Sequence, residues 1–423
     1  MVKEFVEKYD RQVHRFLEIL PGTFSWSLIL FPVWGSFWIP HYVAYYIILF
    51  DILWFYKSGS FAISALISHL KMNASKQYDW FGDAKKLPDF KKVHHLIVVP
   101  TYMEPLATID RGIDSIAKQD MQTSQVSVAL AFEKREGREA EQKARTLAKK
   151  YKGKFANLII TYHPDIGGEV KGKSSNEAYA GKVAKSILVD QQKRDINFIV
   201  ATSKDADGIF HEKYLSCLTY NFLTSEDRHL LFWQPVILHY NNIWRVPTPI
   251  RVMNSLGSVW HTGQNSRTDK LINFSMYSLS LKLLDDVGYW DTDIIPEDWH
   301  IFLQAFFQLG EKVKTLPLYL IVSRDAIQAT SLIGAFKSRY EQEKRWAWGI
   351  TDVPYALKKL FTTPHIPLLP KLFRVIYVLE THLFWPTSFF ILTLGASIPA
   401  LVNPVFNRTT LGHNLPRMSG IIL

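Results

Sequence analysis

Between Ile19 and Phe50 the chain carries no Lys, Arg, Asp or Glu. As a helix those 32 residues would reach about 48 Å, more than the ~30 Å hydrocarbon core of a bilayer, while two full crossings need about 40 residues. The break at Pro40-His41, ringed by Trp34, Trp38, Tyr42, Tyr45 and Tyr46, favours a short hairpin of two crossings over residues 23–56. Arg11 and Arg15 precede it, and Lys57 and Lys71 follow. The positive-inside tendency then places both flanks in the cytoplasm. A signal peptide is excluded, because the apolar part is too long and no small-residue cleavage site follows.

The remaining ends fit the same setting. Residues 1–22 read as an amphipathic segment, with Phe5, Val13, Phe16, Leu17 and Leu20 among charged residues. Residues 351–370 read as an interfacial helix and 371–407 as a further transmembrane segment, since Thr381–Asn407 has no formal charge. Glu380 and His382 at its start are costly in lipid and are expected to face protein or a polysaccharide passage, or to snorkel to the interface. Residues 408–423 read as a loop and the start of another apolar segment, cut short. An integral protein of a plasma or inner membrane is the expectation.

Between about residues 75 and 350 the composition is that of a soluble domain. The formal charge of +10 calls for anionic lipid, nucleic acid or a phosphorylated substrate. Nucleic acid is disfavoured, because there is no zinc-finger spacing, no RNA-recognition signature and no basic groove-reading helix. The one cysteine, Cys217, rules out a disulfide framework and a Cys-cluster metal site.

After a polar linker at 57–92, residues 93–350 alternate regularly. Apolar runs at His95–Val99, Val126–Phe132, Asn157–Thr161 and Ile196–Thr202 are separated by helical patterns at Ile109–Ala117, Glu139–Lys150 and Ser174–Val189. Strands too apolar to alternate, joined by helices, imply an α/β domain with a parallel sheet covered on both faces. In such folds ligands bind at the carboxyl ends of the strands. Those ends read Pro100-Thr101-Tyr102-Met103-Glu104, then Phe132-Glu133, then a loop from Gly167 to Asn176 containing Lys171 and Lys173, then Asp205-Ala206-Asp207.

Taken singly each is weak. Asp-x-Asp triplets are common in turns, and the glycine-rich loop has neither the Walker nor the dinucleotide spacing. Glu297-Asp298 opens the apolar helix Ile301–Leu309, where acidic residues also match the helix dipole. Gln342-x-x-Arg345-Trp346 ends a helix whose tryptophans suit a membrane interface.

In order, Glu104, Glu133, Lys173 with Asn176, Asp205-Ala206-Asp207, Glu297-Asp298 and Gln342-x-x-Arg345-Trp346 resemble the membrane-embedded family 2 glycosyltransferases, which include cellulose, chitin and hyaluronan synthases. The resemblance covers about residues 93–350 and the flanking membrane segments. It implies a cytoplasmic GT-A nucleotide-diphospho-sugar transferase domain, doubly wound on a mostly parallel sheet and flanked by transmembrane helices. By resemblance Thr101, Tyr102 and Glu104 line the nucleotide pocket, and Glu133, where the family more often has Asp, meets the base or ribose. Lys173 and Asn176 approach the diphosphate, Asp205 and Asp207 form the metal and ribose-diphosphate site, and Asp298 is the general base beside Glu297. Pro296 stands where the family usually has Thr. Gln342 and Arg345 face the donor phosphates, and Trp346 stacks on the acceptor sugar. Phe232-Trp233-Gln234-Pro235, Asn241-Asn242 and Tyr277–Ser280 with Asp285–Trp290 fall where the family lines its acceptor site, with buried packing as the simpler reading. His94, His95 and His300 lack a metal-ligand spacing and read as structural.

The implied reaction is an inverting, metal-dependent transfer from a nucleotide-diphospho-sugar, UDP-sugar first, to a polysaccharide or glycolipid acceptor, with Mg²⁺ or Mn²⁺ as the ion that all-oxygen ligands suit. Transfer of a single sugar to a lipid carrier is the alternative within the class. A transporter or an inactive nucleotide-binding scaffold is the alternative outside it; retention of Asp207 and Asp298 speaks against the scaffold.

Overall fold

This computed structural model describes residues 2–328 and 331–423. The chain divides into two compact units, one made of the residues up to Ile63 with Gly349–Leu423, the other of Ser64–Trp348.

In the first unit a helix spans Asp10–Trp38 and another begins at Pro40, with Ile39 as the break between them. Proline is suited to a first helical position, since its missing N–H has no partner there and its φ is already helical. Gly35 lets the two helices meet: a Cβ there would stand 2.7 Å from the Phe31 ring and 2.8 Å from Val43. Val43, Ala44 and Ile47 bury together with Phe406 and Leu415. The second helix runs on to Gln77, through the first part of the stretch expected as a linker. That segment contains no proline and only Gly59 as a breaker, so nothing in it stops a helix already under way. Among the described residues three helices are long and apolar enough to cross a membrane, Asp10–Trp38, Pro40–Gln77 and Leu368–Val402. Within the last, Glu380 pairs with Lys57. Thr410–Ile422, expected as a loop and the start of a segment, is helical.

The second unit is built on one eight-stranded sheet in the order β3-β2-β1-β4-β7-β6-β8-β5. The strands are β1 His94–Thr101, β2 Val126–Glu133, β3 Asn157–His163, β4 Ile199–Ser203, β5 Ile209–Phe210, β6 Leu231–His239, β7 Tyr277–Ser280 and β8 Lys314–Arg324. β3, β2, β1 and β4 are parallel, as are β6 and β8, whereas β7 runs against both β4 and β6, and β5 against β8. The mostly parallel sheet expected from the alternation is therefore present, with β7 reversed in its middle. A register shift in β6 falls at Pro235, which cannot donate to the ladder.

β1 and β2 are buried at every position, which is why they read as unbroken apolar runs. The helix Leu106–Ala117 buries Ile109, Ile113 and Ile116 against them, a spacing of one helical face. Each such side chain contributes about 1.5–3 kcal/mol by leaving water. His94 and His95 are buried on β1, where their Nε2 atoms bond Ser127 and Thr219, and burial pushes both rings down to about 3. They are neutral core residues. The parallel registers bring Thr101, Glu133, His163 and Ser203 to one edge of the sheet.

Candidate active site

The acidic loop leaves β4 at Ser203 and is clamped from both sides. Gly112 lets the helix Leu106–Ala117 approach it, since a Cβ there would meet the Ala206 carbonyl oxygen at 2.3 Å. Gly208 closes the loop, where a Cβ would meet Met276 Sδ at 2.5 Å. Lys204 is wholly buried beneath the loop and donates to the Asp205 carbonyl; burial pushes its ammonium down to about 8. Asn241 Nδ2 donates to the Asp207 carbonyl, and the Asp325 N–H to Asp207 Oδ2 at 3.1 Å.

Lys173 opens the helix Lys173–Lys185 and reaches into this loop. Its Nζ lies 2.9 Å from Asp205 Oδ1 and 2.8 Å from Glu297 Oε1, and donates to the Ser275 carbonyl at 2.7 Å. An ammonium has three donors, and these contacts engage all of them. Lys173 thus joins Asp205 to Glu297, where sequence reasoning had it approach a diphosphate. Burial alone would raise Asp205, but Lys173 and Arg324 override it and hold the carboxyl down at about 2. Asp207 goes the other way: burial pushes it up against the pull of Arg324, and the negative charges of Asp205 and Asp325 add to the rise. Burial pushes Glu297 up to about 7 despite Lys173, and the fully buried Glu177, accepting from Ser203 Oγ, up to about 8.

Asp298 stands in the first turn of the helix Glu297–Leu309. Its carboxylate accepts the backbone N–H of Ser275 at 2.7 Å and of Trp299 at 2.8 Å. Ser275 is the junction of the site. Its φ of 57° lies in the left-handed region that non-glycine residues rarely occupy. Its N–H holds Asp298, its Oγ donates to Asp205 Oδ2 at 2.9 Å and accepts from Arg324 Nη1 at 2.9 Å, and its carbonyl receives Lys173. Backbone strain of this kind persists where surrounding contacts fix it.

At the neighbouring strand ends, Thr101 Oγ1 and the Tyr102 N–H both donate to Glu104, whose carboxyl is raised by burial. The Arg135 guanidinium lies 3.9 Å from the Tyr102 ring centroid and pairs with Glu133. A small cleft there is lined by Glu133, Arg135, His163, Asp165, Glu169 and Ser175. Asn176 is turned away from it, buried and donating to the Ala131 carbonyl of β2.

The helix Leu332–Ala347 carries the last motif. Gln342 is buried and accepts from Arg339 Nη1 at 2.9 Å. The same guanidinium lies 5.0 Å from the Trp346 ring. Trp346 and Arg345 are exposed, so Arg345 is not among the residues gathered at the strand ends. Phe232, Trp233 and Tyr277–Ser280 are buried in the sheet, and Trp290 donates to the Tyr277 hydroxyl at 2.6 Å, which makes these segments core packing. His300 bonds Asp291 at 3.0 Å.

Sequence reasoning missed Arg324, Glu177, Ser275, Lys204 and Arg339. Arg324 could have been found as a charge closing the last long apolar strand; the other four carry no local signal.

Among the described residues no group of three or more His, Cys, Asp or Glu side chains is placed to hold a metal ion by itself. Mg²⁺ and Mn²⁺ sites in phosphate chemistry take one or two carboxylates and complete their shell with substrate oxygens and water. Asp205 and Asp207 fit that donor set, and a cation there would offset the burial and the neighbouring carboxylates that raise Asp207.

Residues 204–406 match the family model described as glycosyl transferase family group 2. No curated protein matches the sequence. Among solved structures, the mannosyltransferase PcManGT from Pyrobaculum calidifontis, in complex with GDP-Man and Mn²⁺, is similar at 14% identity and a TM-score of 0.45, over 86% of this chain and 96% of that one. S. aureus TarS 1–349 is similar at 12% identity and a TM-score of 0.41, over 78% of this chain and 89% of its own. The family match begins at the buried lysine of the acidic loop and runs past Trp346, so the part of the chain that carries Asp205, Asp207, Glu297, Asp298, Gln342 and Trp346 is similar to glycosyl transferase family group 2.

Proposed function

We propose that the chain transfers a sugar with inversion from a nucleotide-diphospho-sugar, first a UDP-sugar, to a polysaccharide or glycolipid acceptor at a membrane, with its catalytic domain on the cytoplasmic side. The observation that carries this reading is that Ser275 ties Asp298 to Asp205, so that a candidate base and a candidate diphosphate site share one support.

In the reaction the acceptor oxygen attacks the anomeric carbon, the bond from that carbon to the phosphate oxygen breaks, and the nucleoside diphosphate leaves with the electron pair. Asp298 takes the proton of the attacking hydroxyl; its two backbone donors fix the plane of the carboxylate before the acceptor arrives. One base and one displacement give inversion. A divalent ion held by Asp205 and Asp207, Mg²⁺ or Mn²⁺, would supply Lewis-acid stabilisation to the leaving diphosphate. Thr101, Tyr102, Glu104 and Glu133 are assigned to the nucleoside, Gln342 and Arg345 to the donor, and Trp346 to the acceptor sugar. Lys173 and Glu297 act by holding Asp205 in place. The mannosyltransferase with GDP-Man and Mn²⁺, and TarS in complex with UDP-GlcNAc, are consistent with donors of this class. The three apolar helices support action at a bilayer.

The test is incubation of membranes containing the protein with radiolabelled nucleotide sugars and Mg²⁺ or Mn²⁺, followed by sizing of the product. Incorporation from one donor into a polymer or glycolipid is expected. Single-sugar lipid products would restrict the reading to non-processive transfer, and no incorporation from any donor would overturn it in favour of an inactive scaffold.

A further inference from the structure

Arg324 ends β8 beside the acidic loop and has no place in the sequence motifs. Its side chain is largely buried, with Nη1 3.5 Å from Asp205 Oδ2 and Nε 4.0 Å from Asp207 Oδ2. Nη1 has a hydrogen bond, to Ser275 Oγ, but Nε is buried with none. The adjacent Asp325 carboxylate is taken by both contacts of Arg111 Nη2, at 2.8 and 2.6 Å, and does not fill the open Nε donor of Arg324. A guanidinium among three carboxylates with an unfilled donor is incompletely matched by them. Its planar fork suits phosphate oxygens better.

We propose that Arg324 is a resident counter-cation of Asp205 and Asp207, which competes with the divalent ion for the loop and turns its fork to the donor's diphosphate when ion and donor bind. This rests on the metal-diphosphate reading of the same loop. It assigns to Arg324 two consequences of opposite sign: it weakens binding of the ion alone and strengthens binding of the nucleotide. A guanidinium that only balanced buried charge would do the first without the second.

The test uses the full chain in detergent or nanodiscs, with calorimetric titration of Mn²⁺ alone and of UDP at saturating Mn²⁺. Arg324→Gln removes the competing charge, and Mn²⁺ alone is expected to bind about tenfold more tightly while UDP binds about tenfold more weakly. Arg324→Lys keeps the charge without the fork, and is expected to hold Mn²⁺ affinity near that of the unmodified protein while still weakening UDP. It also serves as the folded control, checked by its melting transition. Unchanged or weaker Mn²⁺ binding in Arg324→Gln, or UDP affinity unchanged in both variants, would overturn the proposal. If the unmodified protein binds neither Mn²⁺ nor UDP, or Asp207→Asn binds both as well as it does, the metal-diphosphate reading itself fails and the proposal with it.

Discussion

The Asp205–Asp298 cluster and the Gln342–Trp346 segment both answer to sequence motifs, yet they are built in opposite ways. In the cluster nearly every charge has two or more partners: Lys173 holds Asp205, Glu297 and the Ser275 carbonyl, and Ser275 holds Asp298, Asp205 and Arg324. In the segment one residue, Arg339, supports buried Gln342 and exposed Trp346, and Arg345 projects into the open. Charge that must be in place before bond breaking is fixed by many contacts, which is how electrostatic stabilisation avoids reorganisation cost. On the proposed reading this segment meets the acceptor sugar, and such a surface needs shape and a stacking face rather than fixed charge. The contrast predicts that changes in the cluster damage chemistry or folding, and that changes in the segment damage acceptor binding.

The largest effect is expected for Asp298→Asn, which keeps the shape of the side chain but cannot take a proton. Its kcat should fall about 10²- to 10⁴-fold with UDP affinity unchanged. Transfer at the unmodified rate would remove Asp298 from the role of base. Lys173→Met comes next. It strands Asp205, Glu297 and Glu177 without their shared cation, and breaking a buried pair costs about 3–5 kcal/mol. Denaturant unfolding should show that loss, and a loss within 0.5 kcal/mol would mean the ammonium is not the clamp described above. Trp346→Ala removes the stacking face and should raise the acceptor KM about three- to tenfold while leaving the donor KM alone. A fall in kcat with both KM values unchanged would move Trp346 out of the acceptor site.

The smallest effect concerns pH. Glu177 and Glu297 lie above the ordinary carboxyl value of 4.5, at about 8 and about 7 in the folded chain. Between about pH 4.5 and 8 the unfolded chain has released protons that the folded chain keeps, so stability falls across that window and levels off above it. Glu177→Gln removes one of the two groups and should make the fall in melting temperature shallower. A steeper fall would contradict the assignment.

How much of this the sequence carried follows from what kind of signal each feature leaves. β1 and β2 were legible because full burial on both sheet faces forces unbroken apolar runs. β7 was not, because Tyr277-Ser278-Leu279-Ser280 mixes polar and apolar residues, and the Ser278 hydroxyl bonds Thr202 and Tyr214 inside the sheet. Asp205, Asp207, Glu297 and Asp298 were legible as acidic pairs at element ends. Lys173 was read as basic and placed at the loop, but its internal role depends on carboxylates 32 and 124 positions away. Ser275 left no trace at all, since its importance lies in a backbone angle and in four partners far apart in the chain. Arg345 was legible as part of a motif, and the structure leaves it exposed while Arg339, one helical turn earlier than Gln342, makes the buried contact.

The central claim is that the Asp205–Asp207 loop receives the donor's diphosphate together with a divalent ion. Its most direct test is titration of the full chain with UDP, with Mn²⁺ and with the ion chelated, beside the Asp207→Asn variant. UDP binding that requires Mn²⁺ and is lost in Asp207→Asn is the result expected. Nucleotide bound equally well by the variant, with or without the ion, would contradict it.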